Sequence, residues 1–333
     1  MKKFITLMLS ASLVLGTLLT SCGSTAGNDE TTLSESTSTD STSGDTSADT
    51  DADTSADTTA PENTTAADAL RASFLEKADE VVVNDDSVTF TDASGKESVT
   101  IAKDPKNVVN LYASFTTLWY EAGGTVSGCI GGDSSVALYE EYIGRDITAD
   151  DGVTTVATSS SGKKWDTETI IALEPDLIIC STAMSGYKTI EAPAEAAGIP
   201  VIAMSYNDFA DYLKWFKVFS NLTGHPELYE EVALKALDDV VDVLLECPTE
   251  DNPTVFCMFS SADTLQANTS GTVVGGMISA MNAKNIVDAW DGAADAERLD
   301  INLETVFAAD PDIILVQCHA GTEDAMALVE TLY

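Results

Sequence analysis

A thirteen-residue pattern that occurs twice constrains the fold of this chain more than any other feature. The first copy, residues 168–180, reads Glu-Thr-Ile-Ile-Ala-Leu-Glu-Pro-Asp-Leu-Ile-Ile-Cys; the second, residues 304–316, reads Glu-Thr-Val-Phe-Ala-Ala-Asp-Pro-Asp-Ile-Ile-Leu-Val. Each copy predicts a short helix capped by Asp166 or Asn302, then a Pro-Asp corner and a strand. The strands begin with four apolar residues that do not alternate with polar ones, which favours burial on both faces of a parallel sheet. A unit that recurs once indicates two similar α/β lobes, because a solenoid needs three or more repeats.

Helices and strands alternate on both sides of one long helical stretch. Gly224 and Pro226 end one helix and start the next, and no residue breaks the helix from Pro226 to Glu246. A helix of about 20 residues spans roughly 30 Å. The sequence therefore predicts an α/β fold of two Rossmann-like lobes with parallel sheets, joined by one long α-helix. The predicted ranges are 67–223 for the N-terminal lobe, 224–248 for the connecting helix and 249–333 for the C-terminal lobe.

The first 66 residues have the composition of an export signal followed by a tether. Two lysines precede an apolar run from Phe4 to Leu19, which is short for a membrane span and typical of a secretory signal. Small residues then precede Cys22, as in the lipobox whose cysteine becomes diacylated; the alternative is an ordinary signal with an incidental cysteine. We predict a lipoprotein signal peptide over 1–21 and a lipid anchor on Cys22. Residues 22–66, rich in Ser, Thr and Asp, predict a disordered tether.

Composition excludes several classes of function. The formal charge of −39 is opposite to that of a nucleic-acid-binding surface. The chain has only two histidines, His225 and His319, and no GxSxG, complete phosphate loop or GxGxxG motif. We therefore predict no enzymatic activity, no cofactor and no bare metal site. Five cysteines besides Cys22 include no CxxC pair, and their odd number argues against a disulfide framework.

From about Val88 to its end, the chain resembles the substrate-binding lipoproteins of ABC importers for iron–siderophore complexes, haem or cobalamin. The resemblance is carried by the helix leading into a Pro-Asp-Leu-Ile strand in each lobe, and by a hairpin followed by Pro105-Lys-Asn-Val-Val. It implies a monomer whose lobes are joined by a single long helix. It also implies that Glu168 and Glu304 pair with arginines of the importer's membrane subunits; the alternative is the ordinary preference for acids at helix starts. The family's second lobe continues beyond the features present here, so we expect residues 249–333 to be an incomplete lobe.

Ligands of such folds bind outside the carboxyl ends of the strands. Aromatic side chains there stack on flat ligands, and hydroxyl groups supply polar contacts. Each of these residues has the alternative of simply packing a strand end, and His319 is either an axial metal ligand or a solvated loop histidine. The candidate ligand residues are Tyr112, Ser114, Phe115, Trp165, Met184, Tyr187, Tyr206 and His319.

These features predict a lipid-anchored protein on the outer face of the cell membrane that delivers a metal chelate to an ABC importer. An iron–siderophore complex is the first choice of ligand, and cobalamin or haem is the alternative. From other classes, a metallocofactor-handling enzyme and a surface adhesion module remain as rivals. A lipobox with a long acidic tether argues against the enzyme, and saturable binding of a small ligand would exclude the adhesion module.

Overall fold

The computed structural model describes residues 8–10, 65–158, 165–250, 252–261, 264–318 and 322–330. Cys22, His319 and most of the predicted tether therefore lie outside the described residues. Within the described ranges, no helix is both long enough and apolar enough to cross a membrane.

The elements of regular structure alternate along most of the chain. The strands are β1 (Met8–Ser10), β2 (Val82–Val83), β3 (Ser87–Phe90), β4 (Val99–Ala102), β5 (Val108–Asn110), β6 (Gly128–Ile130), β7 (Thr154–Ala157), β8 (Leu177–Ser181), β9 (Val201–Met204), β10 (Thr254–Ser260), β11 (Leu265–Asn268), β12 (Lys284–Asn285), β13 (Arg298–Asp300) and β14 (Ile313–Cys318). The α-helices are α1 (Ala66–Asp79), α2 (Ala113–Glu121), α3 (Asp133–Tyr142), α4 (Thr167–Ala172), α5 (Tyr187–Ala197), α6 (Phe209–Thr223), α7 (Lys235–Leu245), α8 (Val273–Ala280), α9 (Leu303–Ala309) and α10 (Thr322–Glu330).

The first lobe is built on a parallel sheet, as predicted. Its strand order is β7-β6-β5-β8-β9, and every neighbouring pair is parallel. Helices α2, α3 and α6 cover one face, where Phe115 and Phe216 are buried. Helices α4 and α5 cover the other, where Ile170 and Ile190 are buried. The predicted hairpin is also present, as β3 and β4 of a small antiparallel sheet with β2.

Helix α1 was not predicted, because its alanine-rich, mixed sequence gives no clear apolar stripe. Thr65 caps it, so the tether predicted to run to residue 66 meets the folded protein at this helix. Phe74 packs edge-on against Phe209 of α6, with 5.5 Å between the ring centroids. Arg71 forms an ion pair with Asp238 of α7. Helix α1 thus joins the first lobe to the connecting helix.

The connecting helix is unbroken but not uniformly α-helical. The chain turns at Gly224, which has a φ of +82°, and is helical from residue 227 to 245. Residues Tyr229–Leu234 form a π-helical segment before α7 begins. No glycine or proline occurs in that segment. Ala233 within it is fully buried, and the Tyr229 ring lies under the Lys217 ammonium group.

The second lobe has a mixed sheet, so the prediction of parallel sheets is wrong for part of it. The order is β1-β14-β10-β11-β13, with β12 beside β10. Strands β10, β12 and β14 are parallel, whereas β11 is antiparallel to both of its neighbours. Only residues 261–264 connect β10 to β11, a link that allows a hairpin but not a crossover. Strand β1, from the predicted signal peptide, pairs in parallel with the other edge of β14.

Candidate functional site

The Pro-Asp corner has the same structure in both copies of the repeat. The residues before the prolines, Glu174 and Asp310, both have left-handed backbones, with φ of +47° and +43°. The next aspartate fixes a neighbouring strand. Asp176 accepts hydrogen bonds from the backbone N–H groups of Lys106, at 2.8 Å, and of the following residue, just before β5. Asp312 accepts them from the backbone N–H (3.0 Å) and hydroxyl (2.8 Å) of Thr254, where β10 begins.

Glu168 and Glu304 occupy equivalent exposed places in the first turns of α4 and α9. The caps predicted for these helices are present: Asp166 accepts from the Thr169 N–H at 3.0 Å, and Asn302 from the Thr305 N–H at 3.1 Å. Helix α4 starts beside the carboxyl end of β7, and α9 follows the carboxyl end of β13. Both glutamates therefore lie at the sheet edge where ligands of such folds bind.

Three of the predicted ligand residues form an aromatic group on the α2–α6 side of the first sheet. The rings of Tyr112 and Phe115 are 4.7 Å apart, and those of Phe115 and Tyr206 are 6.4 Å apart. Both tyrosines are half-buried, and burial raises the pKa of each phenol above its ordinary value. The phenols therefore remain protonated at neutral pH. Ser114, at the start of α2, is exposed beside this group.

Three other predicted residues lie on the opposite, α4–α5 side of the same sheet. Trp165 is 8% exposed and packs in the core of that face, and its indole N–H has no partner among the described residues. Met184 packs against the same cluster. The Tyr187 hydroxyl donates to Glu191 Oε1 at 3.0 Å. The structure thus divides the predicted ligand residues into two groups separated by the sheet, which strand-end reasoning did not anticipate.

Glu121, at the end of α2, was missed because it does not follow a strand. The residue is exposed as a whole, but desolvation of its carboxylate raises the pKa to about 7. Its charge also contributes to the raised pKa of Tyr206 and of Tyr212. This carboxyl is therefore partly protonated at neutral pH and lies close to the two phenols.

The lobes approach each other next to Tyr206. A Cβ atom on Gly276 of α8 would lie 3.8 Å from the carbonyl oxygen of Asn207, the residue after that tyrosine. The second lobe therefore reaches the aromatic group of the first.

A depression of about 760 Å³ lies elsewhere, at the amino-terminal end of the first sheet, near Pro105, Asp176 and Pro200. Its lining contains no aromatic side chain. We therefore take the carboxyl ends of the strands of the first sheet, where Tyr112, Phe115 and Tyr206 lie, as the candidate site. Among the described residues, no group of three or more His, Cys, Asp or Glu side chains is arranged to hold a metal ion.

Comparisons with known proteins agree with this architecture. Residues 108–330 match the profile of the periplasmic binding protein family. An uncharacterized ABC transporter substrate-binding lipoprotein of Bacillus subtilis, YvrC, is 22% identical over 231 residues, which cover 67% of this chain and 69% of that protein.

Two solved structures share the two-lobed fold. The siderophore-binding protein BauB, bound to two acinetobactin molecules and ferric iron, has a TM-score of 0.52 at 15% identity; the match covers 70% of this chain and 77% of BauB. The haem complex of S. aureus IsdE has a TM-score of 0.51 at 11% identity, and the match covers 68% of this chain and 81% of IsdE. These likenesses confirm the two-lobed α/β fold class.

Proposed function

The chain belongs to the periplasmic binding protein family, and from this premise we propose that it captures a metal chelate outside the cytoplasm and delivers it to an ABC importer. It is a substrate-binding protein and not an enzyme. A ferric siderophore is the proposed ligand, and haem or cobalamin is the alternative. The lipoprotein from Bacillus subtilis supports the extracytoplasmic location.

The observation that carries this proposal is the aromatic group of Tyr112, Phe115 and Tyr206. It lies at the carboxyl end of the first sheet, and the second lobe approaches beside it. Aromatic faces bind flat apolar surfaces such as catecholate rings or a macrocycle, and protonated phenols donate hydrogen bonds to oxygen atoms. BauB binds a ferric siderophore and IsdE binds haem, so the shared fold is compatible with either ligand.

The ligand is tested by fluorescence titration of the purified protein with ferric tris-catecholate, ferric trihydroxamate, haemin and cobalamin. We expect saturable binding of a ferric chelate. Tyr206→Ala should weaken that binding about tenfold or more, the order of one lost aromatic contact with its hydrogen bond. Tyr187→Ala, on the opposite side of the sheet, is the matched control and should have little effect. If Tyr187→Ala weakens binding and Tyr206→Ala does not, the site lies on the α4–α5 side of the sheet. If none of the probes binds saturably, the proposed function is wrong.

We propose that Glu168 and Glu304 dock on arginines of the importer. Both are exposed in equivalent first turns, one in each lobe. Removing one partner of a desolvated charge pair at an interface weakens binding by roughly 2–5 kcal/mol. The double variant Glu168→Ala, Glu304→Ala should therefore bind ligand normally but support at least about tenfold less uptake. Glu195→Ala, an exposed glutamate on α5, is the control. Equal loss of affinity and uptake would place the two glutamates in the pocket or the fold.

The lipid anchor on Cys22 is part of the same proposal, although this residue lies outside the described part of the chain. The lipobox-like sequence supports it, as does the lipoprotein name of the Bacillus subtilis relative. Cys22→Ala should abolish incorporation of a fatty-acid analogue. Continued labelling of that variant would show that the anchor is elsewhere.

A further inference from the structure

Helix α1 contacts the loop that carries Tyr206. The helix precedes residues 108–330, the part of the chain that matches the family profile, and it packs along α6. Near its end, the Lys77 ammonium group donates hydrogen bonds to Asp208 Oδ2 at 2.8 Å and to Asp211 Oδ1 at 2.7 Å. These aspartates are the N-cap and a first-turn residue of α6. One lysine of α1 therefore joins that helix to the start of α6.

The two carboxylates hold the backbone with their other oxygens. Asp208 Oδ1 accepts from the Asp211 N–H at 2.8 Å, and Asp211 Oδ2 accepts from the Asn207 N–H at 2.8 Å. Asp211 is only 9% exposed, and a carboxylate so buried needs a counter-charge. Among the described residues, Lys77 is the only cation within ion-pair distance of either aspartate. The hydrogen bond to Asn207 thus depends on Lys77.

Tyr206 lies between two fixed points of the loop that joins β9 to α6. On one side, the Ser205 carbonyl oxygen accepts a hydrogen bond from Trp215 Nε1 at 2.9 Å. On the other side, Asp211 holds the Asn207 N–H. Because the backbone is held on both sides of Tyr206, the direction of its side chain is set before any ligand arrives.

The charge on Lys77 is maintained at neutral pH. Burial lowers the pKa of Lys77, but its hydrogen bonds to Asp208 and Asp211 outweigh this effect and raise the pKa above the ordinary value. The neighbouring Lys214 does not serve the same carboxylates, because its ammonium group donates to Thr91 Oγ1 at 3.1 Å. The link between α1 and the loop therefore rests on one side chain.

We propose that Lys77 is a positioning residue of the ligand site, which acts through Asp211 to fix the loop that orients the Tyr206 ring. This inference rests on the proposed function, in which Tyr206 contacts the ligand. The same loop faces the second lobe, since the Asn207 carbonyl oxygen lies beside Gly276 of α8. Helix α1 is then part of the binding site and not only the place where the tether meets the folded protein.

The test measures affinity and melting temperature of the full chain, with ferric tris-catecholate, ferric trihydroxamate, haemin and cobalamin as probes. Lys77→Gln should weaken binding of the tightest of these probes by about threefold to tenfold, the range for one hydrogen bond. Lys77→Arg keeps the charge and can reach both carboxylates, so it should retain most of the affinity. Arg71→Gln is the matched control, because it breaks the ion pair of α1 with Asp238 of α7 and leaves the Tyr206 loop untouched.

Two further measurements separate positioning from a general loss of stability. In a double-mutant cycle, Lys77→Gln should cause no further loss of affinity once Tyr206→Ala is present, because the residue that it positions is gone. Hydrogen exchange of the Asn207 amide, followed by NMR without ligand, should be faster in Lys77→Gln than in the unmodified protein and unchanged in Arg71→Gln.

Each failure has its own interpretation. If Lys77→Gln lowers the melting temperature but leaves the affinity intact, the lysine is purely structural and the inference is overturned while the proposed function stands. The same conclusion follows if Arg71→Gln weakens binding equally, or if the losses from Lys77→Gln and Tyr206→Ala add. If none of the four probes binds to the unmodified protein, the proposed function is wrong and this inference fails with it.

Discussion

In the first lobe, β8 lies between β5 and β9, and all five of its residues are buried; in the second lobe, the equivalent β14 has no buried residue along its six positions. Their sequences are nearly interchangeable, Leu-Ile-Ile-Cys against Ile-Ile-Leu-Val. Their neighbours differ. Strand β8 pairs with the four-residue β9 and is covered by helix α5. On its outer edge, β14 pairs only with the three-residue β1 among the described residues. An apolar run thus predicts that a strand forms, but its burial depends on what the rest of the chain brings to it.

The corner that precedes the strands shows the opposite behaviour. Asp176 and Asp312 make equivalent hydrogen bonds to a neighbouring strand start, although their lobes differ in packing. Local hydrogen bonding is therefore preserved between the copies where burial is not. Three predictions, from the largest expected effect to the smallest, test this contrast.

The largest effect concerns the strand cores. Ile178 is fully buried, and its counterpart Ile314 is partly exposed. We expect Ile178→Ala to lower the free energy of unfolding by about 2–5 kcal/mol, and Ile314→Ala by about half as much, because a partly exposed site loses less transfer free energy and leaves a smaller cavity. Denaturant unfolding, followed for each lobe if the transitions separate, measures both. Equal losses would mean that β14 is as well covered as β8.

The corner aspartates should give smaller but matching effects. Asp176→Ala and Asp312→Ala each remove a charged acceptor that serves two donors. Each should lower the free energy of unfolding by about 1–2 kcal/mol, a modest value because these hydrogen bonds are exposed. Asp176→Asn and Asp312→Asn keep an acceptor oxygen and should retain most of the stability. A marked difference between the two alanine variants would show that the corners are not equivalent.

The smallest effect concerns the left-handed residues. Glycine adopts positive φ without steric cost, but it also makes the unfolded chain more flexible, which opposes folding. With both effects included, Glu174→Gly should raise the free energy of unfolding by about 0.5 kcal/mol. Asp310→Gly should gain less, because aspartate tolerates this region better than glutamate does. Thermal unfolding compares them, with Glu174→Asn expected between the native protein and Glu174→Gly. A loss of stability in Glu174→Gly would show that its side-chain contacts outweigh the backbone strain.

The sequence by itself determined the features that depend on neighbouring residues. The repeat, the helix caps at Asp166 and Asn302, the hairpin, and the helix end at Gly224 all follow from short-range hydrogen bonding and from residues with special backbone preferences. These features were enough to predict two lobes and the helix between them, and to place Glu168 and Glu304 in equivalent helix starts.

Only the tertiary structure decided which residues share a surface. It separated Tyr206 from Trp165 by the thickness of a sheet and brought Arg298 to Phe259. Residues far apart in the chain make each of these contacts. Local periodicity carries no information about which distant side chain fills a given space, because that is settled by the packing of whole elements against one another.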